Sequence, residues 1–145
     1  MTFMNKLMGA VVGGSMAMGA LALPAAAQAA EPPVTPKVIF QVSDNDPAKW
    51  TLALNNAKNV QKDLKGSEIE IVAYGPGINM LKADSEVANR VTEAADSGVK
   101  IVACGNTMRG QKLTKEDMNP KIGYVQAGVV EIMERQMQGY AYVRP

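Results

Sequence analysis

The sequence has no histidine and a single cysteine, Cys104. Without histidine, Ser-His-Asp and Cys-His catalysis and histidine-ligated zinc are excluded. One thiol forms no internal disulfide and no four-cysteine zinc site. Aromatic residues are scarce, at 5% of the chain. No basic run is interleaved with them, so nucleic acid is not an expected partner. Charge of one sign is also missing, with 15 basic residues against 14 acidic ones. A near-neutral surface offers little repulsion and leaves association open. Chemistry is left to the thiol, carboxylates, amides and backbone, and neither a cofactor nor a metal is expected.

The 145 residues suffice for one domain. Residues 1–30 are set apart by composition. Lys6 is their only charge, a Gly/Ala/Met/Leu stretch spans residues 7–23, and Pro24 precedes Ala25-Ala26-Ala27-Gln28-Ala29-Ala30. A basic start, an apolar middle and a small-residue end predict a secretory signal peptide, with cleavage after Ala27 or Ala29. The alternative, an uncleaved anchor, is disfavoured by mild hydrophobicity and by the lack of a basic stop-transfer cluster. The expectation is therefore a periplasmic protein with no membrane attachment after cleavage. In that oxidising compartment a lone thiol is buried, reactive or paired with another chain.

Residues 31–36 read as a Pro-rich leader, and residues 37–145 as the domain. Residues 37–42 predict a strand. Asp46 followed by Pro47 predicts an N-cap and first helical position, which also accounts for Asp44 and Asp46 without invoking metal or acid–base work. The following helix is expected to reach about Lys65, with Trp50, Ala53, Leu54, Ala57, Val60 and Leu64 as its buried face. Residues 69–74 predict a second strand ended by a Gly75-Pro76-Gly77 turn, with a helical turn at residues 78–81. Residues 85–96 predict a helix, with Val87, Val91, Ala94 and Ala95 inward and Gly98 as its stop. Thr114 with Asp117 resembles a capping box of a short helix. Residues 122–125 and 139–143 predict short strands around a helix at residues 129–137, whose Val129, Ile132, Met133 and Gln136 share one stripe. Strands alternating with helices predict an α/β fold with a mostly parallel sheet covered on both faces.

The most informative stretch is Val99-Lys100-Ile101-Val102-Ala103-Cys104-Gly105-Asn106-Thr107-Met108-Arg109-Gly110. A short β-branched run predicts a buried strand, and a small polar loop is expected after it. Cys104 falls where the strand ends, at the edge where open α/β sheets bind ligands. Gly105, Asn106, Thr107 and Arg109 offer backbone N–H groups, short polar side chains and positive charge, which stabilise a thiolate. The inert alternative stays open, because free cysteine often behaves as a small buried hydrophobe. Asn56 and Asn59, one turn apart on a helix, are poor helix formers. They either bond a neighbouring loop or subunit or are simply solvated.

Four separated segments carry a family likeness: Ala103-Cys104-Gly105-Asn106-Thr107-Met108, Leu54-Asn55-Asn56-Ala57-Lys58-Asn59, Gly75-Pro76-Gly77, and Gly139-Tyr140-Ala141-Tyr142-Val143-Arg144-Pro145. In consistent order along the domain, they resemble the DsrE/DsrF-like family. The resemblance implies a three-layer α/β/α fold with a five-stranded, mainly parallel sheet. It implies homotrimers or homohexamers. It also implies a cysteine, here Cys104, that accepts sulfur as a persulfide and passes it from a donor protein to an acceptor. Three functions remain distinct at this point. One is a sulfur carrier or sulfurtransferase using Cys104. Another is a non-enzymatic oligomeric binding or scaffold protein with pockets lined by Asn106, Asn59 and tyrosines. The third is a thiol redox sensor.

Overall fold

The structure, a computed structural model, describes residues 34–145. The expected signal peptide and the first part of the leader lie outside the described residues. Among the described residues no helix is long and apolar enough to cross a membrane.

Five strands form one sheet: β1 (Lys37–Val42), β2 (Glu68–Ala73), β3 (Lys100–Cys104), β4 (Gly123–Val125) and β5 (Ala141–Val143). Their spatial order is β4-β3-β2-β1-β5, and each neighbouring pair is parallel. The sheet is thus wholly parallel. Helices α1 (Pro47–Asp63), α2 (Ala88–Asp96), α3 (Gly105–Gly110) and α4 (Gly128–Met137) supply the crossovers, with 3₁₀ turns at Gly75–Leu81 and Lys115–Asp117.

Strand parity divides the core in two. Val38, Phe40, Val42, Ile69, Ile71, Ala73, Ile101 and Ala103 face the larger cluster, covered by Trp50, Ala53, Leu54 and Ala57 of α1 and Val91 of α2. Ile39, Val72 and Val102 point the other way, where Ile132 of α4 meets them. Each fully buried side chain of this size contributes about 1.5–3 kcal/mol. Most of the apolar stabilisation therefore sits on the α1/α2 side, and the α4 side is thin.

Local chemistry explains the helix starts. Asp46 accepts a 2.9 Å bond from the Ala48 N–H, with Pro47 at the first position of α1. The Thr114 N–H donates to Asp117 at 2.7 Å, as a capping box requires. Four expectations need correction. The stretch after β3 is helical over Gly105–Gly110 rather than an open loop. Cys104 already has the extended backbone of an N-cap, so the chain turns directly from strand into helix. The Gly75-Pro76-Gly77 turn is itself the start of a 3₁₀ helix. Leu64 is 49% exposed, because α1 ends at Asp63 and Leu64 leaves the helix as its C-cap. On α4, Val129 and Met133 are 55% and 59% exposed, and Gln136 is also exposed. The helix turns Gly128, Glu131, Ile132 and Arg135 toward the sheet instead, because the sheet presents charged partners there.

Candidate functional site

Cys104 closes β3 at the carboxyl edge of the sheet. The register Ala73↔Ala103 continues to place Tyr74 beside it, and Val125 is its partner on β4. Parity sends the thiol to the α4 face, beneath Gly128, the first residue of that helix. The residue is 5% exposed. The expectation of an open thiol at the rim is therefore corrected: strand alternation turns Sγ inward, under the start of α4. What covers it there is a residue without a side chain.

Polar donors converge on the sulfur. Burial pushes the Cys104 thiol up. Hydrogen bonds from the Thr107 side chain and from the N–H groups of Gly128, Thr107 and Asn106 outweigh it, and the thiol is held below its ordinary value. Cys104 makes no side-chain cap bond to α3, so these donors act on the sulfur as surrounding dipoles, as suits a weak acceptor. Asn106 and Thr107 lie in the first turn of α3, where N–H groups have no intrahelical acceptor. Cys104 occupies the N-cap position, which usually goes to an oxygen-bearing side chain. A thiolate there meets the positive ends of two helices, α3 and α4. Thr107 is fixed for its part: its Oγ1 accepts the Gly75 N–H at 2.9 Å, so the hydroxyl proton is free for sulfur.

Gly128 is tightly placed. A Cβ there would lie 3.1 Å from Val72 Cγ1 and 3.2 Å from the Tyr74 ring. A bare backbone lets the start of α4 come down to the sheet end without displacing either side chain. Gly105 is tight in the same way, since its Cβ would meet the Val125 carbonyl oxygen at 3.1 Å. The Asn106 N–H is directed to the Gln126 carbonyl at 3.0 Å, which locks α3 to the segment leading into α4 and leaves this N–H the least of the groups that hold the thiol down.

The structure thus brings Cys104, Gly105, Asn106 and Thr107 together. Arg109 is at the site's margin, exposed and hydrogen-bonded to the Asn106 side chain. Its charge orients Asn106 and is not among the donors that hold the thiol down. Asn56 and Asn59 are elsewhere. They lie beyond the midpoint of α1, which runs away from the carboxyl edge on the opposite face of the sheet, and Asn59 is exposed. Among the described residues no group of three or more His, Cys, Asp or Glu side chains could hold a metal ion.

Comparison with known proteins identifies the family and the fold. The sequence pattern of the DsrE/DsrF-like family matches residues 36–145. This chain belongs to the DsrE/DsrF-like family. Members of that family are associated with sulfur relay. The DsrE-like chain is similar to a solved protein of unknown function, MTH1491 from Methanobacterium thermoautotrophicum. They share 36% identity over 76% of this chain and 99% of that one, with a TM-score of 0.74. A second solved protein of unknown function, BT1422 from Bacteroides thetaiotaomicron, has the same fold. It is 16% identical over 75% of this chain and 94% of that one, with a TM-score of 0.64. No curated protein matches the chain.

Sequence reasoning missed two residues, Gly128 at the site and Glu70 beneath α4. Gly128 falls just outside the helix expected at residues 129–137, and nothing local marks it, because its close approach depends on a neighbouring strand. Glu70 was read as part of an ordinary strand. It is 1% exposed at the centre of the sheet. Its signal was available: a lone acid within Ile69-Glu70-Ile71-Val72, in a strand covered on both faces, has no solvent to face.

Proposed function

We propose that Cys104 is a sulfur carrier that holds a persulfide and hands its outer sulfur to a second thiol. The observation that supports this reading is the set of donors around a nearly buried sulfur. A structural cysteine needs no such set, whereas an anion does. In the first step the Cys104 thiolate attacks the sulfane sulfur of a donor R–S–S⁻. An S–S bond forms to Cys104, the donor's S–S bond breaks, and R–S⁻ leaves with the electron pair. In the second step an acceptor thiolate attacks the outer sulfur and Cys104 returns as a thiolate. No oxidant or reductant is consumed, as in thiol–disulfide exchange.

The donors named above serve both stages. N–H groups at two helix ends stabilise negative charge on the attacking sulfur and on the persulfide that replaces it. Access requires the start of α4 to yield, and the glycine there leaves a thin cover. Donor and acceptor are expected to be proteins of the compartment the chain reaches. A periplasmic location is also proposed, supported by the N-terminal composition. Assembly as a homotrimer or homohexamer is proposed with it, supported by Val129, Val130, Met133 and Met137, all at least 46% exposed on one helix.

The test is intact-mass measurement after incubation with inorganic polysulfide. The native chain is expected to gain sulfur that a reductant removes, and Cys104→Ser to gain none. No gain by the native chain overturns the carrier reading. A second reading, an oligomeric binding or scaffold protein, is favoured by the 5% exposure of Cys104. It predicts a thiol that reacts only after unfolding. A redox sensor would instead form a sulfenate or an inter-chain disulfide under mild peroxide.

A further inference from the structure

One cluster of charge lies under α4 and has no part in the chemistry just described. Glu70 sits mid-strand on β2, 1% exposed. The Lys100 Nζ of β3 lies 3.2 Å from one of its oxygens, and the Arg135 Nε of α4 lies 2.7 Å from the other. Glu131, also on α4, is 3.2 Å from the same Lys100 Nζ and 3.0 Å from the same Arg135 Nε. Ion pairs therefore cross between sheet and helix in both directions. The Tyr140 ring lies 5.4 Å from the Arg135 guanidinium, and its hydroxyl donates to Glu68 at 2.7 Å.

Apolar packing alone holds this helix weakly. Ile132 is the one large apolar side chain that α4 buries, worth about 1.5–3 kcal/mol. A single contact of that kind does not fix the tilt of a ten-residue helix. A buried carboxylate, by contrast, tolerates only the geometry that keeps it paired. Burial, then the bond with Glu131, pushes the Glu70 carboxyl up against the pull of Lys100 and Arg135. Burial also acts on Glu131, but its bonds to Glu70 and Lys100 hold it below the usual range. Of the two, Glu131 is the carboxyl held lower. It lies one turn along α4 from Gly128, which packs against Val72 and Tyr74 next to Cys104 and whose N–H helps hold the thiol down.

We propose that Glu131, with Glu70, Lys100 and Arg135, is a positioning cluster that holds α4 on the sheet and so keeps the Gly128 N–H on Cys104 Sγ. The inference rests on reading Cys104 as a stabilised thiolate. It has a signature that simple charge effects lack. Removing the negative charge of Glu131 makes a nearby thiolate easier to form, by Coulomb's law. Releasing α4 makes it harder.

The experiment is the rate of iodoacetamide alkylation against pH, in the full-length native chain and in Glu131→Gln, with thermal unfolding alongside. The substitution is expected to move the profile to higher pH and to slow alkylation at neutral pH by about three-fold or more, because the thiolate fraction falls about ten-fold when the midpoint rises by a full pH unit. A profile unchanged or moved to lower pH overturns the inference, even where the melting temperature falls. Should Glu131→Gln fail to fold, Arg135→Lys keeps the charge but loses the planar group between both carboxylates. It is expected to slow alkylation in the same way, and an unchanged rate there overturns the inference. A wild-type profile centred on the ordinary thiol value overturns the thiolate reading itself and this inference with it. A low wild-type profile that the variants leave in place overturns this inference alone.

Discussion

At the residue scale the site comes down to which group donates to one sulfur. Thr107 is the only side chain among the donors, and the Gly75 N–H holds it in place at 2.9 Å. Thr107→Val keeps the shape and removes the hydroxyl. The expected loss is about 1 kcal/mol of thiolate stabilisation, read as a several-fold slower alkylation at neutral pH, with Thr107→Ser restoring the rate. Stability should follow pH in a definite direction. The folded thiol titrates below its ordinary value, so ionisation favours the folded chain. The advantage is fully present above the unfolded thiol's value and is lost as pH falls through the folded one. In thermal melts, the margin of wild type over Cys104→Ser should therefore widen as pH rises across that interval. A constant margin would contradict the donor set. At this scale the sequence was legible for Cys104, Asn106 and Thr107, because an N-cap and first turn are local. It was not legible for Gly128, more than twenty residues away along the chain, nor for Arg109, whose guanidinium bonds Asn106 instead of the thiol.

At the element scale α4 governs the site. Its first residue approaches β2 so closely that a Cβ there would press on Val72 and Tyr74 at 3.1–3.2 Å. Gly128→Ala forces the helix outward by a few tenths of an ångström. The expected cost is about 1–3 kcal/mol of folding stability, together with an alkylation profile moved to higher pH. A variant that loses stability without moving the profile would separate α4 from the thiol. Gly77 is tighter still, since its Cβ would lie 2.4 Å from the Val42 carbonyl oxygen. There the 3₁₀ turn packs on the end of β1. Most elements were readable because period and capping agree: β1 spans Lys37–Val42 as expected, and Asp46-Pro47 opens α1. The orientation of α4 was not. Its apolar residues Val129 and Met133 suggest one inward face, yet the sheet offers Glu70 and Lys100, and the helix turns Glu131 and Arg135 toward them. A buried ion pair can override an apolar stripe in this way because leaving Glu70 unpaired costs more than exposing a valine.

At the scale of the whole molecule, one sheet face carries two helices and the other carries one with its apolar side outward. Val129, Val130, Met133 and Met137 leave a patch that a neighbouring copy would cover. Met133→Glu is expected to shift the chain to monomers in light scattering while its circular dichroism stays unchanged. An unaltered mass would place any assembly on another face. The parallel sheet and its three layers followed from strands alternating with helices, whereas the proposed handing of sulfur from one protein to another depends on a single atom at the sheet's edge. The most direct trial of that dependence is the pH profile of iodoacetamide alkylation of the native wild-type chain. The expected result is one reactive thiol in the folded protein, titrating below the ordinary cysteine value. A thiol that stays silent at every pH until the chain is unfolded would contradict it.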